Sequence, residues 1–347
     1  MKLSPSFFKK IAANILGYNR KFVYPAIVDS NMISFFHDAD LAILDIGARG
    51  GPYPLLEILA PHSRLTLCEP DKNEAERIKN GLQERWREVR VISSALGTKN
   101  KEKKLNVTRF PGLSSLLEPD RKVIEKYFLS RPNARESREA WEVIETRSVP
   151  MITLDEACNS HGGRWDLIKL DTQGTEFDIL LSGKKIALRD TVVVYVETEF
   201  IPFYRDQSLF GEIHSFLSAE GFRLFDLKRT NLRRADIARR PPYSKRELAW
   251  AHVLYVRERK SDGRELSPQE IHRLSCLLTA FWFFDSAIAL LESSKMNAYL
   301  QPYNPDKLAD ALERYSRLVW EVNRRRLLLR TRPNVLGMGW QDQIIEP

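Results

Sequence analysis

Cysteine is scarce in this sequence, with three among 347 residues. Cys68, Cys158 and Cys276 are widely spaced and odd in number, so they form neither a disulfide framework nor a CxxC metal motif. This excludes the class of small disulfide-stapled secreted proteins. It also argues against a zinc site and favours a reducing compartment.

The sequence also lacks a hydrophobic run long enough to cross a membrane. Its longest apolar stretch, Leu277–Leu291, is shorter than the ~20 residues that a spanning helix needs, and it contains Asp285. The apolar stretch near the N-terminus is broken by Lys9 and Lys10 and is followed by no small-residue cleavage site, so we predict no signal peptide. We therefore expect a soluble cytoplasmic protein without a transmembrane span.

No repeat of fixed period occurs, and the chain is 43% apolar and 29% charged. This composition excludes solenoid, collagen-like and disordered chains and predicts a globular protein of one or two domains. The net charge of +8 favours acidic partners, but it does not choose between nucleic acid, anionic lipid and acidic sugars.

Short apolar runs alternate with helical or inserted segments between about residues 41 and 256, which is typical of a mostly parallel sheet covered by helices. The last two runs follow each other without a helix, so we expect them to pair antiparallel at one sheet edge. The predicted fold class is α/β, with a Rossmann-like sheet of seven strands. The runs lie at residues 41–47, 64–70, 89–97, 165–171, 191–199, 222–227 and 248–256.

The segments around these runs predict the domain organisation. Residues 1–39 are expected to form a helical extension and residues 40–260 the sheet domain. Residues 98–150 and the arginine-rich residues 228–247 both follow strand ends, where α/β sheets bind ligands, so both are candidate lids. Residues 261–347 are predicted to be a helical C-terminal region that serves packing or homo-oligomerisation.

The segment ILDIGARGG carries the most informative chemical signal. A strand that ends in Asp45 turns at once through Gly47, Gly50 and Gly51, where the missing Cβ atoms let a ligand approach the backbone. The loop is not GxGxxG, because Arg49 stands where a glycine is required, and no P-loop GK[ST] follows. A carboxylate in this turn would repel a pyrophosphate but could accept hydrogen bonds from a cationic amino group. A tight turn that merely needs glycine is the alternative.

Glu69 ends the next run, 24 residues after Asp45, where an acid can accept both hydroxyl groups of a ribose. A solvated strand-end acid is the alternative. The small Ser94 and Ala95 at the third run leave room beside an adenine ring. These features fit an adenosyl ligand with a cationic amino-acid tail, and S-adenosylmethionine is the candidate. The predicted donor site comprises Asp45, Gly47, Arg49, Gly51, Glu69, Pro70, Ser94 and Ala95.

The sequence resembles the FkbM-type methyltransferases, which belong to the seven-stranded group that depends on S-adenosylmethionine. The resemblance covers about residues 40–256 and rests on ILDIGARGG, LCEPD, SSALG, SSLL, VPMITLDE and, most specifically, KLDTQGTE followed by LLSG. It implies methyl transfer, commonly to an oxygen of a sugar or polyketide-like small molecule. Arg49 stands where the family more often has a small polar residue. The arginine-rich segment and the C-terminal region lie outside the resemblance.

Carboxylates at strand ends are candidates for the base that takes a proton from an acceptor hydroxyl. We rank Asp171 and Glu176 first and Glu197 next as catalytic acids. The alternative for each is an acid that hydrogen-bonds nearby backbone amides. A Mg²⁺ site is a further alternative, but no histidine is spaced to join the acids, so we predict no metal.

The predicted acceptor contacts are Ser114, Ser115, Tyr204, Arg233 and Arg234. The two arginines belong to a basic segment that also contains Arg229, Arg239 and Arg240. Such a segment over a pocket favours an anionic acceptor, for example a phosphorylated or uronic sugar. A solvated charged loop is the alternative.

Three functions are therefore compared. The leading hypothesis is an S-adenosylmethionine-dependent O-methyltransferase that acts on a glycan or other small-molecule hydroxyl, with no nucleic-acid partner. A catalytically silent module that binds nucleic acid or membrane through its basic surface is the alternative. A nicotinamide-dependent oxidoreductase shares Glu69 but explains neither the loop nor KLDTQGTE.

Overall fold

The computed structural model of the protein describes residues 26–331, except for 83, 100, 131–136, 162, 240, 242 and 243. Ten strands form two sheets in this part of the chain. They are β1 (Leu41–Ile46), β2 (Ser63–Cys68), β3 (Glu88–Ile92), β4 (Ala95–Leu96), β5 (Lys101–Thr108), β6 (Val143–Ile152), β7 (Leu167–Leu170), β8 (Val193–Glu199), β9 (Phe222–Leu232) and β10 (Glu247–Arg257).

The main sheet has seven strands in the order β3-β2-β1-β7-β8-β10-β9. Neighbours among its first five strands are parallel, and β10 runs antiparallel to both β8 and β9. Every residue of β1 and β7 is buried, because helices cover both faces of the sheet, and this explains their nearly continuous apolar sequences. The predicted seven-stranded Rossmann-like sheet and its antiparallel pair are confirmed.

The α-helices lie on both faces of this sheet or beyond its ends. They are α1 (Ser30–Asp38), α2 (Lys72–Leu82), α3 (Arg121–Tyr127), α4 (Leu154–His161), α5 (Glu176–Ser182), α6 (Ala187–Asp190), α7 (Phe210–Ala219), α8 (Pro268–Ala280), α9 (Phe284–Leu291) and α10 (Pro305–Thr331). Helix α8 begins at the Ser267–Pro268 signal, where Ser267 and Glu270 form a capping box. No helix in the described part of the chain is long and apolar enough to span a bilayer.

The C-terminal helices complete the main hydrophobic core. Leu277 of α8 and Leu312 of α10 belong to the same buried cluster as Phe35 of α1, Ile43 of β1 and Tyr195 of β8. The opposite face of the sheet packs on a second cluster contributed by α4, α5 and α7. Residues 268–319 therefore pack directly on the sheet face that carries Asp45 and Tyr195.

The first predicted insertion contains a small sheet of its own. Strands β5 and β6 pair antiparallel, and β4 joins β6 in the order β4-β6-β5. An apolar cluster built around Trp141 and Phe203 packs this insertion against the segment after β8 and against Ala249 of β10.

The second predicted insertion is shorter than expected, because residues 228–232 continue β9 and residue 247 begins β10. In the connecting segment, the backbone N–H of Ala235 donates to the carbonyl oxygen of Lys126 at 2.6 Å. The two insertions therefore touch near the carboxyl ends of β8 and β9. That they cover a ligand pocket remains a prediction.

Candidate functional site

The glycine-rich turn after β1 lies directly against the end of β7. Gly47, Gly50 and Gly51 all have positive φ, as the sequence predicts for a turn that needs glycine. A Cβ atom on Gly47 would overlap the carbonyl oxygen of Asp171, whereas one on Gly50 or Gly51 would meet open space. The turn thus combines close packing at Gly47 with an unobstructed backbone at the next two glycines.

Asp45 is fully buried and already has partners within the protein. Its Oδ1 lies 3.0 Å from the Nζ atom of Lys169, and its Oδ2 accepts a hydrogen bond from the backbone N–H of Tyr53 at 3.1 Å. We predicted that this carboxylate would receive the amino group of a ligand. In this structure Lys169 and Tyr53 N–H occupy the two carboxylate oxygens, and a direct contact of Asp45 with the donor stays a prediction.

Lys169 is a functional residue that the sequence interpretation missed. It is opposite Asp45 in the register of β1 and β7 and opposite Tyr195 in the register of β7 and β8. Burial by itself would lower the pKa of Lys169, but Asp45 and then Asp171 raise it above its ordinary value, so the side chain is an ammonium. A lysine inside a short apolar strand was the signal that could have revealed it.

Four polar side chains meet at the carboxyl ends of β7 and β8, beside the middle of β10. The amide Nε2 of Gln173 donates to Asp171 Oδ1 and to Glu197 Oε2, both at 2.8 Å. Asp171 Oδ2 lies 3.7 Å from the ammonium of Lys169, and Glu197 Oε1 lies 3.5 Å from His252 Nε2. We call Asp171, Gln173, Glu197 and His252 the acid cluster.

The two acids of this cluster have opposite pKa shifts. Burial raises the pKa of Asp171, but Lys169, His252 and the hydrogen bonds to Glu197 and Gln173 outweigh burial and hold it below its usual value. Burial, Asp171 and Glu199 hold the pKa of Glu197 well above its usual value. The shifts therefore favour the negative charge on Asp171 and a proton on Glu197.

His252 is uncharged in this setting, because burial lowers its pKa to about 4. Its ring stacks on that of Tyr195 with centroids 5.7 Å apart, and Tyr53 packs on Tyr195 at 5.1 Å. The Tyr195 hydroxyl donates to the Tyr53 hydroxyl at 3.1 Å. Gln173, His252 and Tyr53 were not among the predicted site residues. A lone histidine in the apolar run LAWAHVLYV was the available signal.

Glu176 does not have the environment that a catalytic base needs. It is 1% exposed, and its carboxylate accepts hydrogen bonds from Thr172 N, Thr172 Oγ1 and Gly174 N at 2.6–2.9 Å. The structure therefore supports the alternative reading of Glu176, an acid that holds the turn before α5. Asp171, in contrast, has a side chain that is 30% exposed and can meet an acceptor.

The predicted ribose acid lies at the neighbouring strand end. Glu69 follows β2, is 4% exposed, and accepts a hydrogen bond from the backbone N–H of Asp71 at 2.9 Å. Asp71 Oδ2 lies 3.0 Å from an Arg147 guanidinium nitrogen and 3.9 Å from one of Arg49. Burial raises the pKa of Glu69, while Asp71 N–H and Arg49 oppose the rise. Arg49 thus acts on Glu69 through charge and binds Asp71.

The other predicted donor residues lie beside this corner. Pro70 and Ser94 are half-buried, and Ala95 is 8% exposed at the start of β4. Their positions follow the ends of β2 and β3, as predicted.

Three predicted acceptor residues form hydrogen bonds within the protein: Ser114 and Ser115 of the first insertion and Tyr204 after β8. Ser114 Oγ accepts from Thr108 N at 3.1 Å, and Ser115 Oγ donates to the carbonyl oxygen of Gln173 at 2.7 Å. Tyr204 is 1% exposed, and its hydroxyl donates to Leu113 O at 2.8 Å. Ser115 and Tyr204 are both buried and hydrogen-bond to Gln173, so their roles as acceptor contacts stay predictions.

The predicted anion-binding arginines face solvent. Arg234 forms two hydrogen bonds with Asp236, and its side chain is 48% exposed. Arg233 is exposed as well, and Arg240 lies outside the described residues. The structure thus favours the solvated-loop reading of Arg234.

Across the described residues, no group of three or more His, Cys, Asp or Glu side chains is arranged to hold a metal ion. Of the predicted catalytic acids, the structure brings Asp171 and Glu197 together through Gln173 and gives Glu176 a separate place.

Comparison with known protein families identifies the family of this chain. A sequence profile of the methyltransferase FkbM domain matches residues 45–224, slightly more than half of the 347-residue chain. The chain belongs to the FkbM methyltransferase family. The resemblance to this S-adenosylmethionine-dependent family is thereby confirmed. The segment matched to the FkbM domain begins at Asp45 and includes Asp171 and Glu197, but it ends before the second insertion and the C-terminal helices.

Solved structures of other methyltransferases are distantly similar to this FkbM chain. A methyltransferase FkbM from Methylobacillus flagellatus KT is 11% identical with a TM-score of 0.36, and the match covers 63% of this chain and 44% of that one. Magnesium protoporphyrin IX methyltransferase from Synechocystis PCC 6803, solved with bound SAM, is 10% identical with a TM-score of 0.33, covering 73% and 78% of the two chains. At these TM-scores no residue role or substrate is transferred. No curated protein matches the sequence.

Replacing Lys169 by methionine tests its pairing with Asp45. We expect Lys169→Met to lower the free energy of unfolding by about 3–5 kcal/mol at pH 7, because Asp45 is left as an uncompensated buried charge. Burial raises the pKa of Asp45 above its value in the unfolded chain, and loss of Lys169 raises it further. The deficit should therefore grow as the pH rises from about 5 to about 7.

Urea unfolding followed by circular dichroism at both pH values measures this deficit. The control is Lys184→Met, which removes an exposed ammonium that pairs with Glu220 and should cost less than about 1 kcal/mol. Equal losses for the two variants would show that Lys169 stabilises no buried charge.

Proposed function

We propose that this FkbM methyltransferase transfers the methyl group of S-adenosylmethionine to a hydroxyl of a sugar, glycan or related small molecule. The observation that carries the proposal is the contact of Gly47 with the carbonyl of Asp171. It sets the glycine-rich turn beside a partly exposed, ionised carboxylate, so a ligand on the turn and an acceptor at Asp171 would be neighbours.

The corner between β1 and β2 fits the nucleoside of this donor. Glu69 presents a carboxylate that Asp71 N–H holds in place, and the backbone at Gly50 and Gly51 is open to a ligand. Ser94 and Ala95 would border the adenine. Since Asp45 is paired with Lys169, we propose that Asp45 acts on the donor by fixing the turn through Tyr53 N–H.

Asp171 is proposed to be the base. When bound, S-adenosylmethionine supplies an electrophilic methyl group whose bond to sulfur breaks with its electron pair left on sulfur. An aliphatic hydroxyl attacks poorly while it keeps its proton, and Asp171 can accept that proton because Lys169 keeps it ionised. Positioning of the hydroxyl by the acid cluster supplies the rest of the acceleration.

The charges around the acid cluster indicate whether the reacting group of the acceptor is charged. Asp171, Glu197 and Glu199 lie at this edge with Lys169 as their nearby cation. We propose that the reacting part of the acceptor is an uncharged hydroxyl. Any anionic group of the acceptor would lie towards the exposed Arg233 and away from the acids.

Glu69→Ala tests the donor site. Loss of the two proposed ribose hydrogen bonds to a charged group should raise the Kd for S-adenosylmethionine by about 10–100-fold. Isothermal titration calorimetry measures the Kd. The matched control is Glu76→Ala, an exposed acid on α2 that should leave the Kd unchanged. An unchanged Kd in Glu69→Ala would refute the ribose assignment.

Asp171→Asn tests the base. We expect kcat to fall by about 10²–10⁴-fold while the Kd for S-adenosylmethionine stays within a few-fold of that of the wild type. Transfer of label from the donor to a panel of nucleotide sugars and surface-glycan fragments identifies the acceptor and measures kcat. Asp178→Asn, an exposed acid on α5, is the control. Full transfer activity in Asp171→Asn would exclude Asp171 as the base.

A further inference from the structure

We propose that Gln173 is the positioning residue of the transfer site, whose amide holds Asp171 and Glu197 together as one base and one protonated partner. This inference rests on the proposed function, because it specifies how the proposed base is kept in its working state.

The contacts of the Gln173 amide match this task. Its Nε2 atom has two hydrogens, and one acid lies in hydrogen-bond reach of each, at 2.8 Å to Asp171 Oδ1 and 2.8 Å to Glu197 Oε2. An amide neither releases nor takes up a proton at physiological pH. Gln173 therefore fixes the separation of the two acids without competing for the proton that they share.

The orientation of the amide is determined by Tyr204, which follows β8 and contacts the first insertion at Leu113. The one hydrogen of its hydroxyl is shared between Leu113 O at 2.8 Å and Gln173 Oε1 at 3.2 Å. Because the amide oxygen accepts this hydrogen bond, the NH₂ group must face the acids. A flipped amide would direct its oxygen at two carboxyl groups.

The backbone of Gln173 is held in a conformation that glutamine seldom adopts. Its φ is +61°, in the left-handed region that costs most side chains roughly 1–2 kcal/mol. Ser115 Oγ donates to the carbonyl oxygen of Gln173 at 2.7 Å, and Gly174 follows with φ +104°. Backbone strain of this kind persists where the surrounding structure fixes the conformation. Here the hydrogen bond from Ser115 of the first insertion and the turn at Gly174 fix the backbone of Gln173.

The charged groups around the pair explain which acid keeps the proton. Lys169, on β7, faces Asp171 and is shared with Asp45 of β1. Glu197 faces the uncharged His252 of β10 and shares its strand with Glu199, and Lys169 also acts on it through its charge. Lys228 of β9 is opposite His252 in the register of β9 and β10, and Glu176 of α5 and the hydroxyl of Tyr204 complete the surroundings. The ion pair of Lys169 with Asp171 at 3.7 Å favours charge on Asp171, and the two N–H groups stabilise the pair in that state.

The pH dependence of stability separates this role from simple packing. Hydrogen bonds to the ionised form lower the pKa of Asp171 in the folded protein, so they stabilise the fold above the pKa of the unfolded chain and are lost as the pH falls. Removing them in Gln173→Leu should raise the folded pKa values of both acids. The variant's loss of stability must therefore be larger at pH 7.5 than at about pH 3, which lies below the pKa of aspartate in the unfolded chain.

The experiment measures urea unfolding of the full chain at about pH 3 and about pH 7.5 for wild type, Gln173→Leu and the control Gln301→Leu. The control removes an exposed glutamine of the C-terminal region whose amide donates to Asn297 O. We expect the ratio of variant to wild-type unfolding constants to be at least about fivefold higher at the upper pH for Gln173→Leu, and equal at both pH values for the control. A loss that is the same at both pH values for Gln173→Leu would overturn the proposal.

Two further variants keep the test decisive if Gln173→Leu does not fold. Gln173→Asn tolerates the left-handed backbone but is too short to reach both acids, and Tyr204→Phe removes only the hydroxyl that orients the amide. Each should show the same pH-dependent loss, smaller in Tyr204→Phe, and a loss independent of pH in both would overturn the proposal.

Calorimetry with S-adenosylmethionine distinguishes this proposal from the proposed function. Gln173→Leu should bind the donor as the wild type does, because the amide contacts only the acids and Tyr204. Failure of the wild type to bind the donor would refute the proposed function and leave the unfolding result intact. Normal donor binding with a loss that does not change with pH would refute the role of Gln173 alone.

Discussion

A buried ammonium between two carboxylates is the interaction on which the rest of the site depends. Lys169 lies 3.0 Å from Asp45 and 3.7 Å from Asp171, and it connects the end of β1 to the end of β7. A buried ion pair need not stabilise a fold relative to apolar residues, but removing either partner leaves a costly charge. Its value here is positional: Asp45 fixes the glycine-rich turn through Tyr53, while Lys169 keeps Asp171 ionised at the sheet edge.

The site residues come from four neighbouring strands, β1, β7, β8 and β10, and the first insertion contacts them. From Lys169, the line of polar contacts runs through Asp171 and Gln173 to Glu197 and His252. Ser115 of the first insertion and Tyr204 of the segment after β8 hold Gln173, and the C-terminal helices cover the sheet face from which these strand residues project. The site therefore combines residues matched to the FkbM domain with His252 and with C-terminal helices that lie beyond them.

The sequence predicted what depends on local pattern. Apolar runs gave the seven strands, and the capping signal at Ser267 gave the start of α8. The pairing of Asp45 with Lys169 depends on strand register across 124 residues, which no local pattern encodes. Likewise, the sequence position of Glu176 suggested a catalytic acid, but its carboxylate accepts hydrogen bonds from the backbone N–H groups of Thr172 and Gly174, which only the structure shows. The Arg234–Asp236 pair, two residues apart, was readable in advance as a solvated loop.

Neutron diffraction from deuterium-exchanged crystals at neutral pH tests the central claim most directly, because it locates each proton of this line. The account predicts three deuterons on Lys169 Nζ, one deuteron on the carboxyl of Glu197 and none on Asp171. A neutral Lys169, or a deuteron on Asp171 with Glu197 ionised, would contradict it.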